Sequence, residues 1–150
     1  MKKTVKILLV TALVSIFNFQ FSISDASAQI TQIKSTQLPA QARTTIRTTW
    51  NGAPIVDAWR NKQGRKVEYK ASVEDGSTMK FNAGGQWIEV KSYGGVPSSL
   101  FPKALLNHLD KYYEGRQIVW ATRTTKRYQV QLTDGSKLEF NAKGVFQAFL

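Results

Sequence analysis

Two stretches of this chain repeat each other, and the repeat constrains the fold more than any other feature. A slide of 63 residues places Leu38-Pro39 on Phe101-Pro102, Ile46 on Leu109, Trp50 on Tyr113, Gly52 on Gly115, Ile55-Val56 on Ile118-Val119 and Ala58 on Ala121. Beyond that the offset becomes 59, pairing Tyr69 with Tyr128, Asp75-Gly76-Ser77 with Asp134-Gly135-Ser136, Phe81-Asn82-Ala83 with Phe140-Asn141-Ala142, Gly85 with Gly144 and Trp87 with Phe146. Prolines, glycines and aromatics agreeing in order mark a duplicated unit, with copies at about residues 33–91 and 96–150. A unit of about fifty residues is marginal alone, so the two copies are expected to pack together.

Each copy reads as a helix followed by four short strands. Leu38, Ala42, Ile46 and Trp50 recur every four residues, Pro39 suits a first turn, and Ser35 or Thr36 offers a cap. In the second copy Leu105, Leu109 and either Tyr112 or Tyr113 form the stripe, with Pro102 at the start. Gly52 and Gly115 are placed to end the two helices. Val67, Tyr69, Ala71 and Val73 then alternate with polar residues, as do Tyr128, Val130 and Leu132. A three-residue loop at Glu74-Asp75-Gly76 pairs Ala71 with Met79 and Tyr69 with Phe81; similar loops pair Phe81 with Trp87 and Phe140 with Phe146. The prediction is an α+β fold: tandem α-β4 repeats forming an antiparallel sheet of up to eight strands, two helices on one face, and the other face polar and open.

The N-terminus reads as an export signal. Lys2, Lys3 and Lys6 precede an apolar run from Ile7 to Phe17, and Ala26-Ser27-Ala28 supplies small residues for cleavage after Ala28. Asn18 and Gln20 interrupt that run short of the ~20 residues a spanning helix needs. Residues 1–28 are therefore expected to leave a mature domain, 29–150, that is periplasmic or secreted and has no membrane span. The absence of cysteine excludes a lipid anchor, a disulfide framework and a thiol nucleophile.

The order L-P, helix-end aromatic, G, apolar strand, Y-x-V, D-G, F-N-x-x-G, aromatic, present twice after a signal peptide, resembles the PepSY-like, beta-lactamase-inhibitor-like periplasmic proteins. The resemblance spans residues 33 to 150. It implies the inhibitor-like tandem fold, whose sheet serves as a concave surface for binding proteins, and it implies a role in restraining peptidases or binding envelope proteins. These motifs are turn and core positions, so no functional residue is carried over from them.

Catalytic options are few. The chain has one histidine, His108, beside the second helix's apolar stripe with no nucleophile or acid pair placed next to it. Glu74, Asp75 and Asp134 sit at Asp-Gly turns, where a carboxylate bonds nearby backbone. No pattern calls for a metal or a cofactor, and the chain reads as no enzyme.

Charge is more informative. The chain carries 21 Lys and Arg against 10 Asp and Glu, a net charge of +11. Removing the signal takes three Lys and Asp25 and leaves +9. Arg60, Lys62, Arg65 and Lys66 cluster at the first strand connection of copy one, and Arg123, Lys126 and Arg127 at that of copy two. In an up-down sheet both connections lie at the end away from the Asp-Gly turns, giving a positive rim that steers an acidic partner or keeps the hairpins soluble. Trp59 and Trp120 are candidate aromatic contacts, with core packing the commoner fate of a strand tryptophan. Two readings follow: a noncatalytic binding or inhibitory module that docks an envelope protein, a peptidase among the candidates, through its open sheet face; and a binder of anionic ligands or polysaccharide through the seven basic residues. Export away from most nucleic acid, and the lack of a reader motif, weigh against a nucleic-acid partner despite a pI near 10.0.

Overall fold

The Asp-Gly turns show how the sheet is assembled. Gly76 takes a φ of +85° and Gly135 one of +87°, left-handed conformations open mainly to glycine. Beside them the Asp75 carboxylate accepts the Ser77 N–H at 2.8 Å and Asp134 accepts that of Ser136 at 2.9 Å. Each turn reverses the chain tightly enough to fix the strands on both sides of it. The computed structural model describes residues 28–150, and within them the strands form one antiparallel sheet in strict sequence order.

The strands are β1 (Ala28–Ile33), β2 (Ile55–Gln63), β3 (Lys66–Val73), β4 (Thr78–Asn82), β5 (Trp87–Lys91), β6 (Ile118–Arg123), β7 (Arg127–Leu132), β8 (Lys137–Asn141) and β9 (Phe146–Phe149). Helix α1 (Ala40–Thr49) precedes β2, and α2 (Lys103–Tyr112) precedes β6. The expected pairings hold: Ala71 opposes Met79, Tyr69 opposes Phe81, Phe81 opposes Trp87, and Phe140 opposes Phe146. One row of facing residues crosses the whole sheet, Ile33, Ala58, Ala71, Met79, Val90, Ala121, Val130, Leu138 and Phe149. All but the two end residues are buried, and they share one core with Leu38, Ala42 and Ile46 of the first helical segment and Leu105 and Leu109 of the second. Tyr113 packs against this core while Tyr112 is exposed, which decides between the two tyrosines.

Helices and sheet meet at bare glycines. A Cβ on Gly85 would stand 2.8 Å from Pro39 Cβ and 3.1 Å from the Ala42 nitrogen; one on Gly144 would stand 2.8 Å from the Leu105 nitrogen and 3.0 Å from Pro102 Cβ. The glycine of F-N-x-x-G therefore serves two needs, a left-handed turn and close approach of a hairpin to a helix start.

Two expectations need correction. The sheet has nine strands rather than up to eight, because β1 pairs with β2 along Ala28↔Gln63 to Ile33↔Ala58. No residue of β1 is buried, so its sequence carries no alternating pattern from which to find it. Ser35 and Thr36 do not cap α1; they lie in a short 3-10 turn, Ser35–Gln37, and Pro39 takes the cap position with no side-chain cap bond. Proline has no side-chain acceptor for the free N–H groups of the first turn, so Pro39 sets the helix entry through its fixed φ without capping it. The expected signal peptide lies outside the described residues except for Ala28, the first residue of β1.

Candidate functional site

In a meander of this order, alternate connections fall at alternate ends of the sheet. The β2–β3, β4–β5, β6–β7 and β8–β9 hairpins gather at one end, and the two Asp-Gly turns at the other. All seven basic candidates, Arg60, Lys62, Arg65, Lys66, Arg123, Lys126 and Arg127, belong to the hairpin end. They do not form a single focus. Three strand spacings separate β3 from β6, about 14 Å, so the clusters stand apart across the β4–β5 hairpin.

A cleft of about 770 Å³ lies between the clusters and takes one cation from each. Lys66 and Glu68 of β3 line one side, Arg123 with the threonines beside it lines the other, and Trp87 and Tyr128 form the aromatic part. Arg123 lies over the Trp87 ring at 4.7 Å, a cation–π arrangement that holds the guanidinium against an apolar surface. Trp87 and Tyr128 approach to 6.1 Å between ring centres, and Phe101 meets Trp87 edge-on at 6.0 Å. The other charges of the clusters differ in freedom. Lys66 pairs with Glu68 at 2.9 Å and Arg127 with Glu139 at 3.4 Å, while Lys62, Arg65 and Lys126 are exposed. At the opposite end Arg116 binds Asp134 at 2.9 Å, which offsets part of the acidic side of the expected polarity.

Strand alternation places both tryptophan candidates on the sheet face away from the helices, since Ala58 and Ala121 beside them face the core. Trp59 is buried there, outside the core cluster. Trp120 is half-buried and its indole N–H donates to Glu89 at 3.0 Å. Glu89 is also held by Lys80 at 2.7 Å. Burial by itself pushes the Glu89 carboxyl up, but the bonds from Lys80 and Trp120 and the nearby Lys70 charge outweigh it, so the group titrates below its ordinary 4.5. Burial, and then the charge of Lys80, hold the Lys70 ammonium below its ordinary 10.5. A second, smaller cleft of about 380 Å³ follows on this face, with Trp120, Lys91, Lys137 and the exposed Tyr93 on its walls.

The Lys70–Lys80–Glu89 row and the Trp87–Tyr128 pair are absent from the sequence candidates. The row follows from register, since Lys70, Lys80 and Glu89 are successive cross-strand partners. The β4–β5 bulge next to Phe81 shifts that register by one residue and hides it from simple alternation.

His108 does not have a catalytic setting. Its ring stacks on Phe146 at 4.8 Å and meets Phe140 edge-on at 5.4 Å. Burial, then the charge of Lys111, keeps it below its ordinary 6.5. Among the described residues no three His, Asp or Glu side chains come together as a metal site would need, and no helix is long and apolar enough to cross a membrane.

Residues 67–148, from β3 into β9, match the family model described as beta-lactamase-inhibitor-like and PepSY-like. The chain belongs to this family. Solved structures share the fold of the family member described here. A Bacteroides vulgatus protein of the DUF2874 family, described as periplasmic, is 23% identical over 81% of this chain and 97% of its own, with a TM-score of 0.75. A Bacteroides thetaiotaomicron protein described as calcium-regulated and periplasmic is 22% identical over 81% and 96%, with a TM-score of 0.76. Another Bacteroides vulgatus protein, described as periplasmic and of unknown function, is 25% identical over 82% and 98%, with a TM-score of 0.75. No curated protein matches the chain significantly.

Proposed function

We propose that this protein is a noncatalytic binding or inhibitory module of the cell envelope, built from two copies of an α-β4 unit and exported by the signal peptide at residues 1–28. It docks a protein through the sheet face away from the helices and through the cleft at the hairpin end of the sheet. The observation that carries this reading is the cleft itself, where Lys66 from the first unit and Arg123 from the second flank Trp87 and Tyr128. An aromatic floor between two cations suits a segment with an apolar side chain and a carboxylate, and aromatic and arginine anchors dominate protein interfaces. The remaining cations, Arg60, Lys62, Arg65, Lys126 and Arg127, extend the positive rim and raise the rate of encounter with an acidic surface. The family resemblance and the periplasmic descriptions of the structural neighbours support the location, and peptidases are the first enzymes to assay.

The test is site-specific photo-crosslinking in the periplasm, with the crosslinking residue at Thr122 in the cleft, at Gln131 on the same face, or at Arg43 on α1. A discrete protein adduct from the first two positions, absent at Arg43 and weakened by Lys66→Glu with Arg123→Glu, is expected. No adduct at any position would remove the protein-docking reading. Retention on an anionic polymer that falls when the seven cations are neutralised, without a protein adduct, would favour the anion-binding reading instead.

A further inference from the structure

Equivalent strands of the two units have different neighbours. β5 and β9 both close a four-strand unit, and both lie beside a matching strand: Val90 opposes Met79 as Phe149 opposes Leu138. On its other side β5 pairs with β6, where Val90 faces Ala121. Nothing among the described residues pairs with the other side of β9. The consequence is large, since Val90 is 0% exposed and Phe149 is 71% exposed.

The hydrogen-bond alternation shows that β9 is ready to pair. The Leu150 N–H donates to the Lys137 carbonyl at 3.0 Å, so Leu150 and Ala148 point their backbone groups toward β8, and Gln147 and Phe149 point theirs outward. Ser92 donates to Val119 at 2.9 Å, which by the same alternation makes Val90 the residue that bonds β6. β9 therefore offers at Phe149 the position that β5 uses at Val90. Its four residues, Phe-Gln-Ala-Phe, include no charge and no proline, the usual protections of an exposed edge.

A strand shaped for that position already exists in the chain. β2 corresponds to β6: Ala58 matches Ala121 in burial, and both strands carry a bulge at the same place, between Ile55 and Asp57 and between Ile118 and Trp120. On β2 the position of β5 is filled by β1, with Ile33 facing Ala58. None of the six residues of β1 is buried, and although Ile33 packs against the core and Gln32 bonds Asp57, β1 is held mainly by its ladder to β2.

We infer that β1 is a displaceable edge guard, and that its release lets β9 of one copy of this chain pair with β2 of a second copy. The joint repeats the β5–β6 seam between molecules and buries Phe149 as Val90 is buried. It is a head-to-tail contact, which does not close on itself and so propagates into linear assemblies. While β1 is in place it competes for β2 from within the same molecule and at high effective concentration, so the chain stays monomeric.

The test uses the full chain, secreted and processed as it is made. Thr31 and Ile33 bond β2 opposite Arg60 and Ala58, so Thr31→Pro with Ile33→Pro removes ladder donors and frees β1. By light scattering the wild type is expected to be a monomer and the double variant to form oligomers whose mass grows with concentration. Adding Phe149→Pro, which removes an outward donor of β9, is expected to restore the monomer. Oligomers unaffected by Phe149→Pro, or a double variant that stays monomeric with the wild-type circular dichroism, would overturn the inference. So would a wild-type oligomer sensitive to Phe149→Pro, because β1 would then itself be the partner strand. In case the double variant fails to fold, a labelled peptide of residues 54–63 is titrated onto the wild type. Binding at least tenfold tighter than to the Phe149→Pro protein, and tighter than that of a scrambled peptide, supports the inference; equal binding sinks it.

Discussion

Trp87 and Phe146 hold the same place in two matching stretches of sequence, each after an F-N-x-x-G turn and each opposite a fully buried phenylalanine, yet their surroundings differ. Trp87 is buried among Phe101, Tyr128 and Arg123, residues that follow β5 in the chain. Beyond β9 no strand of the described residues pairs; Phe146 is half-buried, covered by the His108 ring and the exposed Phe149. The difference teaches that position in the sheet, rather than the motif, decides whether this aromatic becomes core and part of the cleft or remains at an edge.

Substitutions at these positions should separate motif from position. Trp87→Ala removes a buried aromatic from the seam and is expected to cost about 3–5 kcal/mol, whereas Phe146→Ala, already half in water, should cost about 1–2 kcal/mol. Urea unfolding of both variants reads the gap, and equal costs would break the comparison. The glycines of the same turns should behave alike in both units. Gly85→Ala and Gly144→Ala each force a Cβ against a helix start at a left-handed φ and should lose about 2–4 kcal/mol, whereas Gly135→Ala, with open space around it, should lose only about 1 kcal/mol.

A smaller difference separates the outer faces. Glu89 of β5 bonds Lys80 and Trp120, but the equivalent place on β9 is Ala148, facing Glu139. Glu89→Gln is expected to cost about 1–2 kcal/mol at neutral pH. Because the folded protein holds Glu89 below its ordinary 4.5, this contribution is present above that pH and is lost as pH falls through the lower folded value. The variant should therefore show a flatter acid limb in melts taken below about pH 5. The smallest effect belongs to His108. Its folded value is below 6.5, so the folded chain binds fewer protons than the unfolded one; the contribution is full above 6.5 and declines as pH drops below it. His108→Phe should remove this slope between about pH 7 and 5 while keeping the stack on Phe146.

The hairpins were legible because turn chemistry and alternation are local: Asp-Gly and the F-N-x-x-G glycine each imply a reversal, and the apolar residues on both sides then select one register. The pairings Tyr69↔Phe81 and Phe140↔Phe146 follow from those few residues alone. β1 was not legible, because an edge strand with nothing buried leaves no pattern to read. Of the candidate site, the seven cations were legible as two groups at one end of the sheet, but the cleft between them was not. Arg123 and Trp87 are distant in sequence and meet only because β6 follows β5 in the sheet.

By itself, then, the sequence determined the hairpin turns, most core residues and the end of the sheet to which the seven basic residues belong, since each rests on interactions within a hairpin or a helix. The tertiary structure alone decided which equivalent residues are covered. Val90 and Phe149, or Trp87 and Phe146, read alike along the chain, and their difference comes from a neighbouring strand that, among the described residues, one has and the other lacks. Burial is a property of what lies on both sides of a strand, and a strand's own residues specify only the face it turns inward.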